Sequence, residues 1–428
     1  MGNGFRRVVA VFIAASASLP LAAAELSVSN LELATTGAVD EGDHFVLASH
    51  AAAELSVSGG YKFGGKLKFA FDSNDLEKTL GYSMISPTPP LGDPELDGPA
   101  PAATQTEYNN LIDEVADRMG HDASLSFRLA SISIREPFSL PIEFGYFIGR
   151  SDVFCSGDEF PLRFGTAPIG TAFRGFSYFP EGVGGNDALQ YDGIHGVSGT
   201  GFSLAWTGSE KVVPLLYAYQ DSSMAIAGGT SAELERGRYS ADLRVLANGE
   251  KVKFEAFAGA TFPYGNAGLY RAGMLAYFSS IVGANFLAQV GITRWNPEEA
   301  FGINNLFFLF EPRVDFGFTS VFVTFFYHPF YYMQIETGDK GATDLNFRLL
   351  IGDLQETSME GGFETTIGLK VAQEPGTSVT DQISLILAPY FSIVTEGVRW
   401  DFKIRVKPLN YAKPLTLAES FIGVRTAF

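Results

Sequence analysis

The stretch Val398–Lys407, VRWDFKIRVK, alternates without a break. Val398, Trp400, Phe402, Ile404 and Val406 fall on one side, and Arg399, Asp401, Lys403, Arg405 and Lys407 on the other. Successive strand residues point to opposite faces, so this segment is a strand with one apolar and one charged face. Similar runs recur at Glu25–Thr36, Phe45–Ser58, Tyr61–Asp72, Ser124–Ile134, Ile142–Val153, Val212–Asp221, Leu269–Ser279 and Gly283–Trp295. They continue at Asn305–Phe316, Phe318–Phe330, Asp344–Gly352, Met359–Ala372 and Gln382–Val394. Arg238–Ala260 holds two more around Asn248-Gly249, a two-residue hairpin signal. The chain closes on another, SFIGVRTAF, with Phe428 as its last residue.

Composition decides what such strands are for. Hydrophobic residues make up 46 % of the chain and 38 residues are Phe. Beyond the first 24 residues, however, no stretch approaches the length of continuous apolar sequence that a spanning helix needs. The N-terminus reads as a secretory signal peptide over residues 1–24, with Arg6-Arg7, an apolar Val8–Leu19 and the A-x-A site Ala22-Ala23-Ala24. No cysteine follows that site, which argues against lipid attachment. The lone Cys155 permits no intramolecular disulfide and reads as inert. An exported, aromatic-rich chain without spanning helices has one solution in lipid, a closed β-barrel. A water-soluble β-sandwich would not need Leu67, Phe69 and Phe71, or Phe363, Ile367 and Leu369, on its outer faces.

The expected fold is therefore all-β, a transmembrane antiparallel up-and-down barrel forming a single domain over residues 25–428. Short turns should alternate with long loops, and the strand number should be even. Taking Glu25–Thr36 as the first strand puts short turns at Gly59-Gly60, Glu136–Leu140, Gly208–Glu210, Asn248-Gly249, Ser280–Val282, Gly317, Asp353–Ser358 and Glu396-Gly397. That gives eighteen strands, within a range of fourteen to eighteen, and leaves room for hidden strands in Ser73–His121 or Leu162–Phe179. The final segment then pairs with the first strand and removes the open edge.

Net charge is −18, falling to −20 once Arg6 and Arg7 leave with the signal peptide. Much of it lies in one loop. Asp72–Asp122 holds eleven acids against Lys78 and Arg118, together with PTPP and GPAPAA, and Tyr108–Met119 within it has an amphipathic helical pattern. The positions facing the lumen differ. Lys62, Lys66, Lys68, Arg238, Arg244, Lys251, Lys253, Arg348, Arg399, Lys403, Arg405 and Lys407 share that phase, with Asp242, Glu255, Glu364 and Asp401 among them. Such a lumen would concentrate anions by focusing the field, or its charges would pair with one another. The loop Phe154–Ala188 mixes Asp158, Glu159, Arg163 and Arg174 with Phe160, Phe164, Phe173, Phe176, Tyr178 and Phe179, which is unusual for an outer loop. It either folds inward as a constriction or packs on the barrel top or a neighbouring subunit.

The leader, the alternating strands, the short-turn and long-loop order and Phe428 resemble a bacterial outer-membrane β-barrel, and the strand count resembles the substrate-selective porins. The resemblance implies an outer-membrane location and passive diffusion of small solutes, with anion preference as an open point. It implies outer-membrane lipids, the barrel-insertion machinery and small solutes as partners, and leaves a homotrimer open. It also implies that Ile422, Val424 and Phe428 form the membrane-insertion signal, although Ser420 and Thr426 depart from the apolar pattern.

Two other functions remain in view. One is a transporter for hydrophobic compounds of the fatty-acid kind, supported by Thr319–Tyr331, TSVFVTFFYHPFY. The other is a surface barrel whose loop Ser73–His121 binds a ligand. Nothing points to an enzyme, a cofactor, a metal or nucleic acid: G-x-S-x-G and H-E-x-x-H are absent, and His44, His50, His121, His195 and His328 lack ligand spacing.

Overall fold

A computed structural model describes residues 25–39, 45–59, 61–73, 124–172, 193–221, 225–226, 232–233, 238–280, 283–327, 331–332, 335–336, 343–354, 356–369, 382–411 and 416–427. Eighteen antiparallel strands form one sheet. They are β1 Glu25–Val39, β2 Phe45–Ser58, β3 Phe63–Ser73, β4 Ser124–Arg135, β5 Ile142–Phe154 and β6 His195–Trp206. Next come β7 Val212–Asp221, β8 Tyr239–Asn248, β9 Val252–Phe262, β10 Leu269–Ser279, β11 Ala284–Trp295 and β12 Leu306–Phe316. The set ends with β13 Thr319–Tyr327, β14 Thr343–Asp353, β15 Met359–Leu369, β16 Ile383–Thr395, β17 Val398–Val406 and β18 Ala418–Ala427.

Each strand pairs with its neighbours in sequence, and β18 returns to β1 from Asn30↔Ala427 to Gly37↔Ser420. The barrel is closed. Turns of two to six residues join the strands at one end, and the other end carries every long connection. Parity alone required β6: its Gly-rich sequence HGVSGTGFSLAW shows no clean alternation.

The β8–β9 hairpin differs in one detail from the expected Asn248-Gly249 turn. Asn248 still pairs with Lys253, and the Gly249 N–H donates to the Val252 carbonyl at 2.9 Å. The tip is therefore Glu250-Lys251. A shift of two residues keeps every side chain on its expected face, so the alternation survives the error. No hidden strand lies in the described part of Leu162–Phe179; one short helix, α1, occupies Glu159–Phe164. The Tyr108–Met119 helix and His328 lie outside the described residues.

The two faces of the wall separate cleanly. Outward-facing Ile132, Phe202, Leu216, Leu243, Met274, Phe347, Ile367, Trp400, Phe402 and Ile404 are all exposed. Inward-facing Arg244, Leu275, Leu287, Gln289, Phe307, Glu311, Asn346, Arg348 and Asp401 are all buried. An apolar exterior with a polar and packed interior inverts the arrangement of a water-soluble protein and matches a barrel in hydrocarbon. Among the described residues no helix is long and apolar enough to cross a membrane.

Candidate functional site: a loop held inside the barrel

The chain leaves β5 at Phe154 and turns inward at Cys155, which takes a positive φ of 59°. Two wall residues grip this peptide. The Cys155 N–H donates to the Glu255 carboxylate on β9, and Gln289 Nε2 on β11 donates to the Cys155 carbonyl at 2.6 Å. The Ile194 N–H donates to the Phe154 carbonyl at 2.9 Å, which zips the two ends of the connection together. Phe154 is wholly buried, with ring centroids 5.2 Å from Tyr217 and 5.1 Å from Phe257.

Helix α1 follows, with Arg163 bonded to Glu159 at 3.0 Å and to Glu143 on β5 at 3.2 Å. Burial would raise the Glu159 carboxyl, but Arg244 and Arg163 outweigh it and hold it below the usual carboxylate range. Burial would lower the Arg163 guanidinium, but Glu159 and Glu143 outweigh it and raise it. Burial, with Glu255 adding to it, pushes the Cys155 thiol well up, so this cysteine stays protonated and unreactive.

The segment then crosses to β12. There Glu311 accepts from Thr171 Oγ1 at 2.5 Å, from the Ala172 N–H at 3.0 Å and from Thr324 Oγ1 at 2.7 Å. Arg313 completes the far anchor, bonding Glu311 at 2.6 Å and the Gly170 carbonyl. The two legs of the loop touch at Gly157, where a Cβ would stand 2.7 Å from the Gly170 nitrogen and φ is +84°. Only glycine fits that crossing.

Beneath the loop the inner wall is apolar. Phe147, Leu215, Leu246, Phe257, Leu275, Leu287, Phe307 and Leu309 join Phe154, Phe160 and Ile169 of the loop in one buried cluster. The inner half of β5–β13 is thus a packed core rather than a water-lined surface.

The remaining wall, β14–β18 with β1–β4, carries most of the basic positions read from the sequence. Arg348 Nε bonds Glu364 at 2.9 Å, and Lys403 Nζ stands 3.4 Å from the same carboxylate. Arg399 bonds Glu360 at 2.9 Å and Asp401 at 2.7 Å, and Arg405 bonds Glu419 at 2.5 Å. Lys407 also bonds Glu419. From Arg399 to Lys407 these side chains climb about 26 Å of strand. Arg348, Arg399, Lys403, Arg405 and Lys407 thus each have an acid beside them, as Arg244 has Glu255 at 2.8 Å across the barrel.

Other positions fall at the ends. Lys251 is exposed at the β8–β9 tip, Lys253 stands over the Tyr277 ring at 5.6 Å, and Arg238 over the Tyr264 ring at 4.4 Å by the outer loops. Asp158 is exposed on the loop, and Arg174 lies outside the described residues. Ile422 and Val424 face outward on β18, whereas Phe428 is outside the described residues.

Lys66 and Lys68 on β3 are half-open inner cations, with side chains 43 % and 42 % exposed, and Arg135 at the end of β4, bonded to Glu143, is 51 % exposed. Lys66 and Lys68 share Glu54, at 3.4 Å and 2.5 Å. Sequence reasoning missed Arg271, Glu311, Arg313, Gln289, Glu360 and Arg425. Arg271 sits on a strand whose inner neighbours Gly273 and Leu275 carry no charge, and the alternation Glu311, Arg313, Asp315 follows LFFLF, where both faces are apolar. A signal existed only in register: Arg271 meets Asp242, two strands away, at 2.7 Å.

Solved structures place this geometry. OccAB4 of Acinetobacter baumannii matches over 96 % of this chain and 99 % of its own, at 8 % identity and a TM-score of 0.53. OccAB2 of the same organism matches over 95 % and 98 %, at 10 % identity and 0.51. The outer membrane protein OpdK of Pseudomonas aeruginosa matches over 95 % and 99 %, at 9 % identity and 0.50. The likeness is one of fold. No protein-family profile and no curated protein sequence matches the chain.

Proposed function

We propose that the chain is a bacterial outer-membrane channel through which small solutes diffuse, and not an enzyme. The observation that carries this reading is the loop Cys155–Ala172, held inside a closed barrel by Glu255 and Gln289 at one end and by Glu311 and Arg313 at the other. A segment anchored this way narrows a lumen without closing the barrel. The fold shared with OpdK, an outer membrane protein, supports the location.

The path runs beside β1–β4, where the inner cations Lys66 and Lys68 are half-open to solvent and share one acid. Two ammonium groups around one Glu54 leave a single excess positive charge there, which supports a modest anion preference. The remaining ladder from Arg399 to Lys407 stabilises the wall through its acid partners and adds little to the field. Asp158, Glu159 and Arg163 belong to the constriction, with Arg163 as its brace. The hydrophobic-compound reading has less support, because the described inner apolar residues are packed against the loop in one cluster.

Planar-bilayer recording with liposome swelling tests the proposal. Discrete current steps and swelling in small neutral and anionic solutes are expected. A closed bilayer and vesicles that do not swell would remove the channel reading.

A further inference from the structure

The lipid-facing wall is not evenly covered. On β6–β9, in the half toward the long loops, a groove of about 650 Å³ opens on the outer surface. Register explains it. Phe202 pairs with Ala218, Ala218 with Ala241, Ala241 with Ala260 and Ala260 with Tyr270, so three alanines in a row lie between two aromatic walls. The next outward row below them is Leu204, Leu216 and Leu243.

Above them runs a polar row: Thr200 pairs with Gln220 and Gln220 with Tyr239. These three side chains face outward, and among the described residues none makes a hydrogen bond within the protein. Polar groups at the edge of hydrocarbon need a partner, since lipid tails supply none. The volume is that of a small-molecule site.

We infer that this groove holds one acyl chain of an outer-leaflet lipid, whose ester, amide or hydroxyl oxygen meets Gln220 and Tyr239. The inference rests on the membrane reading above. The groove is concave and bounded on both sides by rings, which suits a slender chain. A second barrel presents a convex wall and would leave the alanine row uncovered. The groove is also continuous with the exposed apolar band, so the surrounding solvent is itself the supply of occupants.

The test uses the full chain in vesicles of phosphatidylethanolamine and phosphatidylglycerol, doped with a phosphatidylethanolamine that carries a mid-chain diazirine. After irradiation, adducts are mapped by mass spectrometry. Peptides holding Ala218, Ala241 and Ala260 should be labelled severalfold above those holding Ile351 and Ile367, which face lipid elsewhere. Ala241→Phe should abolish the excess and Gln220→Leu should reduce it, with labelling at Ile367 unchanged. Even labelling around the belt of the unmodified protein overturns the site. So does disulfide capture of two copies through Ala241→Cys, which assigns the groove to a second chain. Absence of labelling on every strand instead removes the membrane reading.

Discussion

The two halves of the barrel use similar inner charges for different ends. On β5–β13 the two cations that meet the loop are sealed: Arg244 is wholly buried between Glu255, Asp152 and the loop root, and Arg313 joins the far leg of the loop to Glu311. On β14–β18 and β1–β4 the cations pair mainly with their own wall, and exposure climbs to Lys66 and Lys68. Burial, and not charge, separates a structural pair from one that a solute can meet: Arg348 and Lys403 are sealed like Arg244, and Lys66 and Lys68 are open. A buried pair is held by geometry and is costly to halve, whereas a half-exposed pair contributes little to stability and acts on the field.

Perturbing either half sharpens the contrast. The largest effect is expected from removing Gly157–Gly170, which takes out α1 and the crossing to β12. Single-channel conductance should rise severalfold while the barrel remains heat-modifiable on gels; unchanged conductance would show that the loop does not set the opening. Next, Glu311→Ala strips the far anchor of its acceptor and leaves Arg313 without its carboxylate, at a local cost of about 3–5 kcal/mol. Current noise and protease cutting near Gly170 should both increase.

A smaller effect belongs to Lys66→Gln with Lys68→Gln, which should move the reversal potential in a salt gradient toward cation preference. Arg399→Gln, Lys403→Gln and Arg405→Gln together should move it less, because these three side chains are buried in the wall, whereas Lys66 and Lys68 are half-open. The reverse order would return the ladder of β17 to the conduit. The smallest effect concerns pH. Arg244 and Arg163 hold Glu159 low, so its contribution to loop stability is present above the ordinary carboxylate value and is lost only as pH falls below it. Between about pH 8 and about pH 5, conductance noise should therefore follow the same course in the native chain and in Glu159→Gln. A rise in noise near the ordinary Glu value in the native chain alone would show that Glu159 is unbraced.

The fold was legible because lipid and lumen impose period two on every strand, as Val398–Val406 shows most clearly. Parity then supplied β6, whose glycines hide the alternation. The Asn248-Gly249 turn misled by two residues without consequence, since the wall face depends only on odd or even. The site was legible in part. Arg163 and Glu159 stood out as charges in an aromatic loop, but their partners did not. Glu311 and Arg313 follow LFFLF, where both faces are apolar, and the Asp242–Arg271 contact depends on a register spanning two strands. Pairing distances of this kind arise from closure and tilt, which no single segment encodes.

The claim that solutes pass beside β1–β4, with the lumen of β5–β13 filled, is tested most directly by thiol block in a planar bilayer. The native Cys155 is wholly buried and should give no background. With Lys68→Cys, a charged methanethiosulfonate should cut the current stepwise, whereas with Leu275→Cys the same reagent should leave it unchanged. Block at Leu275→Cys, or none at Lys68→Cys, would contradict the account.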